Sequence, residues 1–301
     1  MNFEGDARLL VRSVILILAL VWVVIGARTR GGWLWSQAVA SQGAQTQGSP
    51  TQTADTRPSL LKTPVPGAAP VYGYTVVRRY PHLKSSYTEG FFYLDGLLYE
   101  GTGREGQSEV LAIQPETGKV LRRVKLADEL FGEGIVDWGP NIYEWTWTTH
   151  ICFVYDRATF RQVKKLTYEG EGWGMTRTAT EIVTSDGSAN LTFRDPKTFE
   201  KVRSITVHEG LAIIEKVNEL ELIKGEIWAN IWHSDRIVRI SPDDGRVIAW
   251  IDLSGILPES QKVDGESVLN GVAYDAKKDR IFVTGKQWPI VFQIKVEEKA
   301  R

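Results

Sequence analysis

Short runs of β-branched and aromatic residues alternate with turns rich in Asp, Gly and Pro from about residue 72 to residue 297. The first set of runs covers residues 91–93, 97–100, 109–113 and 120–126, with the turn Asp95-Gly96 between the first two. Runs of this length and composition between such turns are typical of strands joined by hairpins. We therefore predict an all-β domain in this part of the chain.

This set of runs recurs five times with a period near forty residues. The copies align on one apolar position, which is Leu98, Ile142, Ile182, Ile227 and Ile281 in turn. A period of this length with four short strands per copy is typical of a β-propeller. The predicted fold is therefore all-β, a five-bladed β-propeller.

The last copy lacks a fourth strand, whereas the segment Tyr74–Tyr80 precedes the first copy and has the composition of a strand. An unpaired sheet edge is open to association with other chains. We therefore expect Tyr74–Tyr80 to complete the last blade as its outer strand and so to close the ring.

Polar and aromatic side chains recur at matched offsets from the aligned apolar positions. Nine positions before them stand Glu89, Glu133, Trp173 and Asn218, and five positions after them stand Gly103, Trp147, Gly187 and Trp232. The fifth copy starts at Asn270 and has two extra residues in its turn, so that Lys286 takes the second of these offsets. If the copies close into a ring, equivalent positions meet at one end of it, and these side chains form one site.

Simpler interpretations exist for several of these residues. Gly103 and Gly187 either leave room for a peptide to enter or serve turns that need positive φ. Asn218 has an alternative role as the cap of a turn, Lys286 as a charge on the rim, and Glu89 as a structural acid. The tryptophans that stand off the matched offsets, Trp228 and Trp288, are expected to pack between strands.

Composition narrows the classes of function. The chain has 36 Lys and Arg against 37 Asp and Glu, with both signs interspersed, so it lacks the electrostatic footprint of a nucleic-acid-binding protein. The four histidines are scattered without the spacing of a zinc site. The single cysteine, Cys152, excludes an intramolecular disulfide and is expected to be a buried, inert thiol. We expect no metal, no cofactor and a monomeric protein.

The N-terminal part is interpreted as a targeting segment, residues 1–28, followed by a linker. Arg8 and Arg12 precede an uncharged apolar run at residues 14–27, which is typical of a signal peptide and short for a membrane span. A cleaved signal and an uncleaved anchor that tethers the chain through residues 9–27 both stay open. Residues 29–70, rich in Gln, Thr, Pro and Ala, are expected to be disordered, and residues 71–301 to form the catalytic domain. Either interpretation predicts export to the periplasm or the extracellular space.

Seven short motifs resemble, in order, those of the plant and bacterial glutaminyl-peptide cyclotransferases, also called glutamine cyclotransferases. The motifs are Tyr87-Thr88-Glu89-Gly90, Phe131-Gly132-Glu133-Gly134, Thr146-Trp147, Gly172-Trp173-Gly174, Asn218-Glu219-Leu220-Glu221, Trp228-Ala229-Asn230-Ile231-Trp232 and Thr284-Gly285-Lys286-Gln287-Trp288-Pro289. Each alone is weak, whereas the ordered set through all five copies is specific. The resemblance implies a five-bladed propeller that converts the N-terminal glutamine of peptides and proteins to pyroglutamate and releases ammonia. It also separates the chain from the animal enzymes of this activity, which use zinc on an α/β fold.

The same resemblance implies roles for individual residues. It places the family's central glutamate on Glu133, its channel asparagine on Asn218 and its lysine on Lys286. The residues it implies for substrate binding are Trp147, Trp173, Trp232, Glu89, Tyr87 and Phe131. The position of Glu89 is usually glutamine in the plant enzymes, so this chain has a second carboxylate near the site.

The chemistry of this reaction requires a set of this kind. The α-amine attacks the γ-amide carbonyl of the same residue, so the protein must hold a cyclic conformer, accept a proton from the attacking nitrogen and give one to the departing ammonia. We predict that Glu133 carries the proton and that Lys286 and Asn218 stabilise the oxyanion, with orientation of the α-amine as an alternative role for Asn218. Apolar surroundings and Glu89 are expected to raise the pKa of Glu133, and Lys286 to lower it.

Two alternatives from other classes are a propeller that only binds peptides or sugars and a lactonase-type propeller hydrolase. A binding module has no need of both Glu133 and Lys286, which argues against the first. The second needs carboxylates and amides around a calcium-like ion, whereas tryptophans occupy the equivalent places here.

Overall fold

Residues 68–298, which the computed structural model describes, form β-strands, turns and one short 3-10 helix at Glu259–Gln261. These residues contain no α-helix, so the predicted all-β class is confirmed. They belong to a unit that extends from Leu61 to Arg301. The predicted targeting segment, residues 1–28, and all but the last three residues of the predicted linker lie outside the described residues.

The first described strand, β1 (Val71–Pro81), is followed by three antiparallel sheets of four strands each. The first sheet comprises β2 (Thr88–Leu94), β3 (Leu97–Thr102), β4 (Glu109–Gln114) and β5 (Lys119–Lys125). The second comprises β6 (Gly132–Trp138), β7 (Asn141–Thr146), β8 (Ile151–Asp156) and β9 (Gln162–Thr167). The third comprises β10 (Met175–Arg177), β11 (Ile182–Ser185), β12 (Asn190–Arg194) and β13 (Lys201–Thr206). A small hairpin of β14 (His208–Glu209) and β15 (Ala212–Ile213) follows.

The remaining strands form a sheet of eight strands together with β1. They are β16 (Val217–Ile223), β17 (Glu226–Ile231), β18 (Arg236–Ile240), β19 (Val247–Asp252), β20 (Leu269–Asp275), β21 (Arg280–Gly285) and β22 (Ile290–Glu298). The strand order is β16-β17-β18-β19-β1-β22-β21-β20. The fourth and fifth copies of the repeat therefore share one sheet, whereas the repeat alone predicts separate ones.

Strand β1 causes this fusion because it pairs on both of its edges. It pairs antiparallel with β22 from Tyr72↔Glu298 to Pro81↔Ile290, and it pairs parallel with β19 at Val71↔Trp250 and Tyr72↔Ile251. The predicted pairing of the segment before the first copy with the last strand is confirmed. Residues from the two ends of the described chain thus lie in one sheet.

The first strands of the five copies contact one another in a cyclic order. Strand β2 contacts β6, β6 contacts β10, β10 contacts β16, β16 contacts β20, and β20 contacts β2. Glycines permit this close approach: a Cβ added at Gly134 would lie 2.5 Å from the carbonyl oxygen of Trp173, and one at Gly174 would lie 2.1 Å from that of Asn218. These glycines follow the predicted site residues directly, so the approach of the first strands also brings the site residues together.

In the fourth copy, a carboxylate takes the place of such a glycine. The two oxygens of buried Glu219 accept hydrogen bonds from the backbone N–H groups of Phe91 and Val272, at 3.2 and 2.8 Å. The side chain thereby links β16 to both β2 and β20. Buried backbone donors that would otherwise lack a partner are satisfied in this way.

Apolar clusters fill the space between neighbouring sheets. Trp228 and Trp288 are buried in the cluster between the fourth and fifth sets of strands, which confirms that they pack as expected. Cys152 is fully buried in another cluster, as expected, and burial raises the pKa of its thiol well above the ordinary value. That the thiol is inert stays a prediction.

Candidate active site

A cavity of about 230 Å³ lies at the N-terminal ends of the first strands of the five copies. All nine predicted site residues line it, together with one residue that the sequence did not indicate, Glu266. The nine are Tyr87, Glu89, Phe131, Glu133, Trp147, Trp173, Asn218, Trp232 and Lys286. The structure therefore brings together every residue of the predicted set.

The strand ends explain this convergence. Glu89, Glu133 and Asn218 are among the first two residues of β2, β6 and β16, and Trp173 stands just ahead of β10. Lys286, Trp147 and Trp232 follow directly after β21, β7 and β17, the second strand of their copies. In an antiparallel hairpin the start of one strand lies beside the end of the next, so both matched offsets reach the same edge of the structure.

Glu89 and Lys286 form a buried ion pair. The Nζ of Lys286 lies 2.6 Å from the Oε1 of Glu89, and the side chains are only 6% and 2% exposed. The Oε2 of Glu89 accepts a hydrogen bond from the Nδ2 of Asn270 at 3.2 Å, and the same amide donates to the carbonyl of Thr88 at 2.8 Å. The ammonium also lies 4.5 Å from the ring centroid of Tyr87. The positions of both charges are therefore fixed.

Glu133 is buried, with 6% exposure, and its carboxylate forms no hydrogen bond with any residue in the described part of the chain. Burial raises the pKa of Glu133 well above its ordinary value, and the negative charge of Glu89 raises it further. The ammonium of Lys286 acts in the opposite direction and does not cancel these two effects. This carboxyl group therefore keeps its proton to a higher pH than an ordinary glutamate, and it is free to contact a ligand.

Lys286 keeps its proton in this environment. Burial by itself would lower the pKa of the ammonium, but the charges of Glu89 and Glu133 outweigh burial and raise it. Burial raises the pKa of Glu89, against the opposing contacts with Lys286 and Asn270. The cavity is thus lined by one cation, which Glu89 holds in place, and by a second carboxyl group, that of Glu133.

Asn218 is also buried, and only some of its hydrogen-bonding groups have partners. Its backbone carbonyl accepts a hydrogen bond from the hydroxyl of Ser185 at 2.7 Å, but its side-chain Oδ1 is buried without a partner among residues 68–298. Its Nδ2 forms no hydrogen bond with a described residue, and the side chain lines the cavity. The amide nitrogen is therefore available as a donor to a bound molecule.

Aromatic rings form the wall of the cavity. Trp147 is 41% exposed at the opening, and its indole N–H donates to the Oε2 of Glu171 at 2.7 Å, as that of Trp173 does at 3.0 Å. Trp173 and Trp232 meet edge to face at 5.6 Å between ring centroids, as Phe131 and Trp147 do at 5.7 Å. Such contacts fix the planes of the rings, so the wall has a defined shape.

The two glycines at the matched offsets make room for these rings. A Cβ at Gly103 would lie 2.4 Å from the Cε1 of Phe131, and one at Gly187 would lie 2.5 Å from the Cζ2 of Trp173. Gly187 also has φ +78°, which L side chains rarely adopt, so the turn interpretation holds there. The alternative interpretation, that a position without a side chain leaves room for a peptide to enter, stays a prediction.

Two polar residues of the site were missed in the sequence. Asn270, which orients Glu89, takes the place of Glu89 in the fifth copy once the two extra residues of that copy's turn are allowed for, so the repeat could have indicated it. Glu266 lies 3.5 Å from the hydroxyl of Tyr87 and 3.3 Å from the Nε2 of His233. It belongs to the connection between β19 and β20, outside the repeated part, and its sequence position carries no signal.

A larger cavity of about 520 Å³ lies at the opposite ends of the first strands. Five of its seven charged lining residues are in ion pairs: Arg177 binds Asp137 through two hydrogen bonds of 3.0 Å, Asp275 binds Arg280 at 2.8 Å, and Lys277 binds Asp95 at 3.3 Å. Since these charges are neutralised by protein partners, the smaller cavity is the better candidate for chemistry.

No group of three or more His, Cys, Asp or Glu side chains is arranged to hold a metal ion within residues 68–298. The absence of a catalytic metal stays a prediction. In the same part of the chain, no helix has the length and apolar character needed to span a membrane.

Comparisons with known proteins agree on one family. The family model described as glutamine cyclotransferase matches residues 46–296. A glutaminyl-peptide cyclotransferase of Arabidopsis thaliana is 38% identical over 229 residues, which cover 74% of this chain and 71% of the relative. The crystal structure of Myxococcus xanthus glutaminyl cyclase is similar with a TM-score of 0.73 and 32% identity, over 77% of this chain and 100% of that one.

Proposed function

The chain belongs to the glutamine cyclotransferase family, and on this premise we propose that it converts the N-terminal glutamine of peptides and proteins to pyroglutamate with release of ammonia. The observation that carries the proposal is the cavity in which an unpaired buried carboxyl group, Glu133, faces a fixed ammonium, Lys286, and a free amide, Asn218. The cavity accepts a small side chain and opens to solvent at Trp147, as a peptide terminus requires.

In the proposed reaction, the α-amine nitrogen forms a bond to the γ-carbonyl carbon of the same glutamine, and the bond from that carbon to the amide nitrogen breaks. One proton leaves the attacking nitrogen and one reaches the departing ammonia, so a single carboxyl group can perform both transfers in sequence. Glu133 has this role. Its raised pKa supports it, because a proton carrier works best when its pKa lies near the working pH.

Lys286 and Asn218 stabilise the negative charge that develops on the γ-carbonyl oxygen. Each donor of this kind contributes roughly 3 kcal/mol when its position is fixed before the reaction. The ion pair with Glu89 supports this role for Lys286, because it holds the ammonium in place. The free Nδ2 supports it for Asn218, although the same amide can orient the α-amine.

The aromatic rings that line the cavity position the substrate and restrict the access of water to it. The edge-to-face rings of Trp173 and Trp232 and the ring of Phe131 surround the space next to Glu133. A narrow aromatic space favours the folded conformer of a glutamine side chain, in which the amine and the carbonyl carbon are close. Glu89 and Tyr87 complete the binding surface.

We also propose that the five copies form a five-bladed propeller whose last blade includes β1. The cyclic contacts of the five first strands and the pairing of β1 with β22 support this architecture. The parallel pairs between β1 and β19 are then a local link between the fourth and fifth blades.

We also propose that the protein is exported from the cytoplasm. The arginines Arg8 and Arg12 before the apolar run at residues 14–27 support it. Fractionation of cells that produce the full chain, with N-terminal sequencing of the mature protein, tests it and distinguishes a cleaved signal from an anchor. Recovery of the intact chain in the cytoplasm would contradict export.

The activity is tested with the full chain and a short peptide that begins with glutamine. We expect loss of one ammonia from the peptide by mass spectrometry, in the presence and in the absence of a chelator. The Nα-acetylated peptide is the matched control, because its nitrogen is blocked and cannot cyclise. Binding of the peptide without turnover would favour a binding module, and activity that the chelator abolishes would contradict the metal-independent mechanism.

A further inference from the structure

A second buried ion pair lies behind the site, where the first and fifth sets of strands meet. The Nε2 of His82 is 3.1 Å from the Oε1 of Glu100, and the two side chains are 1% and 0% exposed. His82 follows directly after β1, and Glu100 lies in β3. Neither residue lines the cavity, and the proposed reaction uses neither.

The contacts of His82 favour a doubly protonated ring. Its Nδ1 lies 2.7 Å from the carbonyl oxygen of Trp288, and its Nε2 faces the carboxylate of Glu100. The carbonyl is an acceptor and so is an ionised Glu100, and with these partners both ring nitrogens donate. Burial by itself would lower the pKa of His82, but the charge of Glu100 and the hydrogen bonds to Glu100 and Trp288 outweigh burial and raise it. The hydroxyl of Thr284, 3.4 Å from Nδ1, donates to the carbonyl of Ile290 instead. His82 and Glu100 are therefore a buried imidazolium–carboxylate pair.

Glu100 holds the strand that carries Tyr87 and Glu89. Its Oε1 accepts from the hydroxyl of Thr88 at 2.7 Å, and its Oε2 accepts from that of Ser86 at 3.1 Å. In an extended chain successive side chains point to opposite faces. Ser86 and Thr88 thus bind Glu100 on one face, while the residues that alternate with them line the cavity on the other.

His82 holds the loop that carries Lys286. Its acceptor, the carbonyl of Trp288, is two residues beyond Lys286, and the N–H of Gln287 donates to the carbonyl of Ser86 at 2.7 Å. The hydroxyl of Thr88 also reaches the carbonyl of Gly285 at 3.4 Å. The residues on both sides of Lys286 are thereby tied to the residues on both sides of Tyr87.

We infer that the His82–Glu100 pair holds the Lys286 loop against the Glu89 strand, so that His82 and Glu100 are positioning residues for the ammonium and carboxylate of the site. The catalytic part of this inference rests on the proposed function. The matched residue of the second copy, Glu144, is also a buried carboxylate, but no histidine or serine holds it. The network is therefore specific to the junction that carries Lys286.

The first test measures the accessibility of Lys286 and does not depend on activity. The full-chain protein and its variants His82→Gln and Glu100→Gln are methylated with formaldehyde and a borane reductant, well below their unfolding temperatures, and modification of Lys286 is followed by peptide mass spectrometry. The wild-type residue is protected by burial and by Glu89. We expect its modification to become about tenfold faster in both variants, because the loop opens more often.

The matched control is Asp275→Asn. It breaks another ion pair, between the buried Asp275 and the half-buried Arg280, which joins the same two sets of strands through the hydroxyl of Tyr93 but at the opposite strand ends. It should leave the modification rate of Lys286 unchanged. Equal rates in the wild type, the two variants and this control would overturn the inference. If either variant does not fold, Thr88→Val removes only the hydroxyl that links Glu100 to the strand and should give a smaller increase.

The second test is kinetic. We expect kcat of His82→Gln and Glu100→Gln to fall roughly ten- to hundredfold at nearly constant KM, because small displacements of positioned groups are costly. The acidic limb of the pH profile should move to higher pH, since the charge of Lys286 lowers the pKa of Glu133. If His82 and Glu100 had only a structural role, the substitutions would reduce the fraction of folded protein and would not shift the acidic limb of the pH profile. An inactive wild type would refute the proposed function, whereas the labelling result would still decide whether the pair holds Lys286.

Discussion

The ammonium of Lys286 lies 2.6 Å from the Oε1 of Glu89, although 197 positions separate the two residues in the chain. Both side chains are almost fully buried. Loss of either partner leaves an uncompensated buried charge, which is more costly than loss of the pair. The geometry of the cavity therefore depends on the contact between the first and last copies of the repeat.

Glu89→Gln and Lys286→Met should move the pH profile of kcat/KM in opposite directions. The charge of Glu89 raises the pKa of Glu133, so Glu89→Gln should shift the acidic limb to lower pH. The charge of Lys286 lowers that pKa, so Lys286→Met should shift the limb to higher pH, in addition to its loss of kcat. Shifts of the same sign in both variants would exclude Glu133 as the group that the limb reports.

Glu133→Gln should lower kcat by about 10²–10⁴-fold, because the proton carrier is lost while the shape is kept. The fold should persist, and thermal unfolding at neutral pH should occur at the same or a higher temperature. The reason is that the pKa of Glu133 is raised in the folded state, so its stabilising contribution is present at low pH and lost as the pH rises. Glu169→Gln, which changes an exposed residue that does not line the cavity, is the control and should retain most of the activity. Near-normal kcat in Glu133→Gln would move the proton transfer to Glu89.

Trp173→Ala should chiefly raise KM, roughly tenfold or about 1.4 kcal/mol, since this ring forms the wall of the cavity and carries no proton. Steady-state kinetics with a glutamine peptide measure this. Trp228→Phe is a matched control, because Trp228 is buried away from the cavity: it should lower the unfolding temperature and leave KM unchanged. A fall in kcat at constant KM in Trp173→Ala would assign the ring a role in the transition state.

Glu144→Gln should stabilise the protein increasingly as the pH rises. The carboxyl group of Glu144 is fully buried, and neither oxygen has a hydrogen-bond partner in the described residues, so burial raises its pKa well above the ordinary value. The contribution of the wild-type residue is present below its unfolded pKa and is lost as the pH rises through the folded pKa. The unfolding temperatures of wild type and variant should therefore coincide near about pH 4 and diverge toward neutral pH. The exposed turn residue Glu116, changed to Gln, should show no such trend, and parallel curves for Glu144→Gln would contradict the assignment.

The sequence by itself determined the strands, the repeat and the set of residues that share a site. Strand composition and turn residues are local features, so a single sequence is enough to predict the strands. Because residues at the same offset in each copy occupy equivalent places, the repeat also predicts which distant residues lie close together. This is why Glu133, Lys286, Asn218 and the tryptophans could be grouped without coordinates.

Only the tertiary structure decided how these residues pair. That Lys286 binds Glu89 while Glu133 stays unpaired depends on distances of a few ångströms across the junction of the first and last copies. The place of Glu266 depends on a connection outside the repeat, and the double pairing of β1 depends on the position of β19 beside it. Contacts between distant copies depend on how their side chains pack, and no local sequence pattern describes that packing. The interaction energy of two charges depends on the distance between them, and an offset in the sequence does not give that distance.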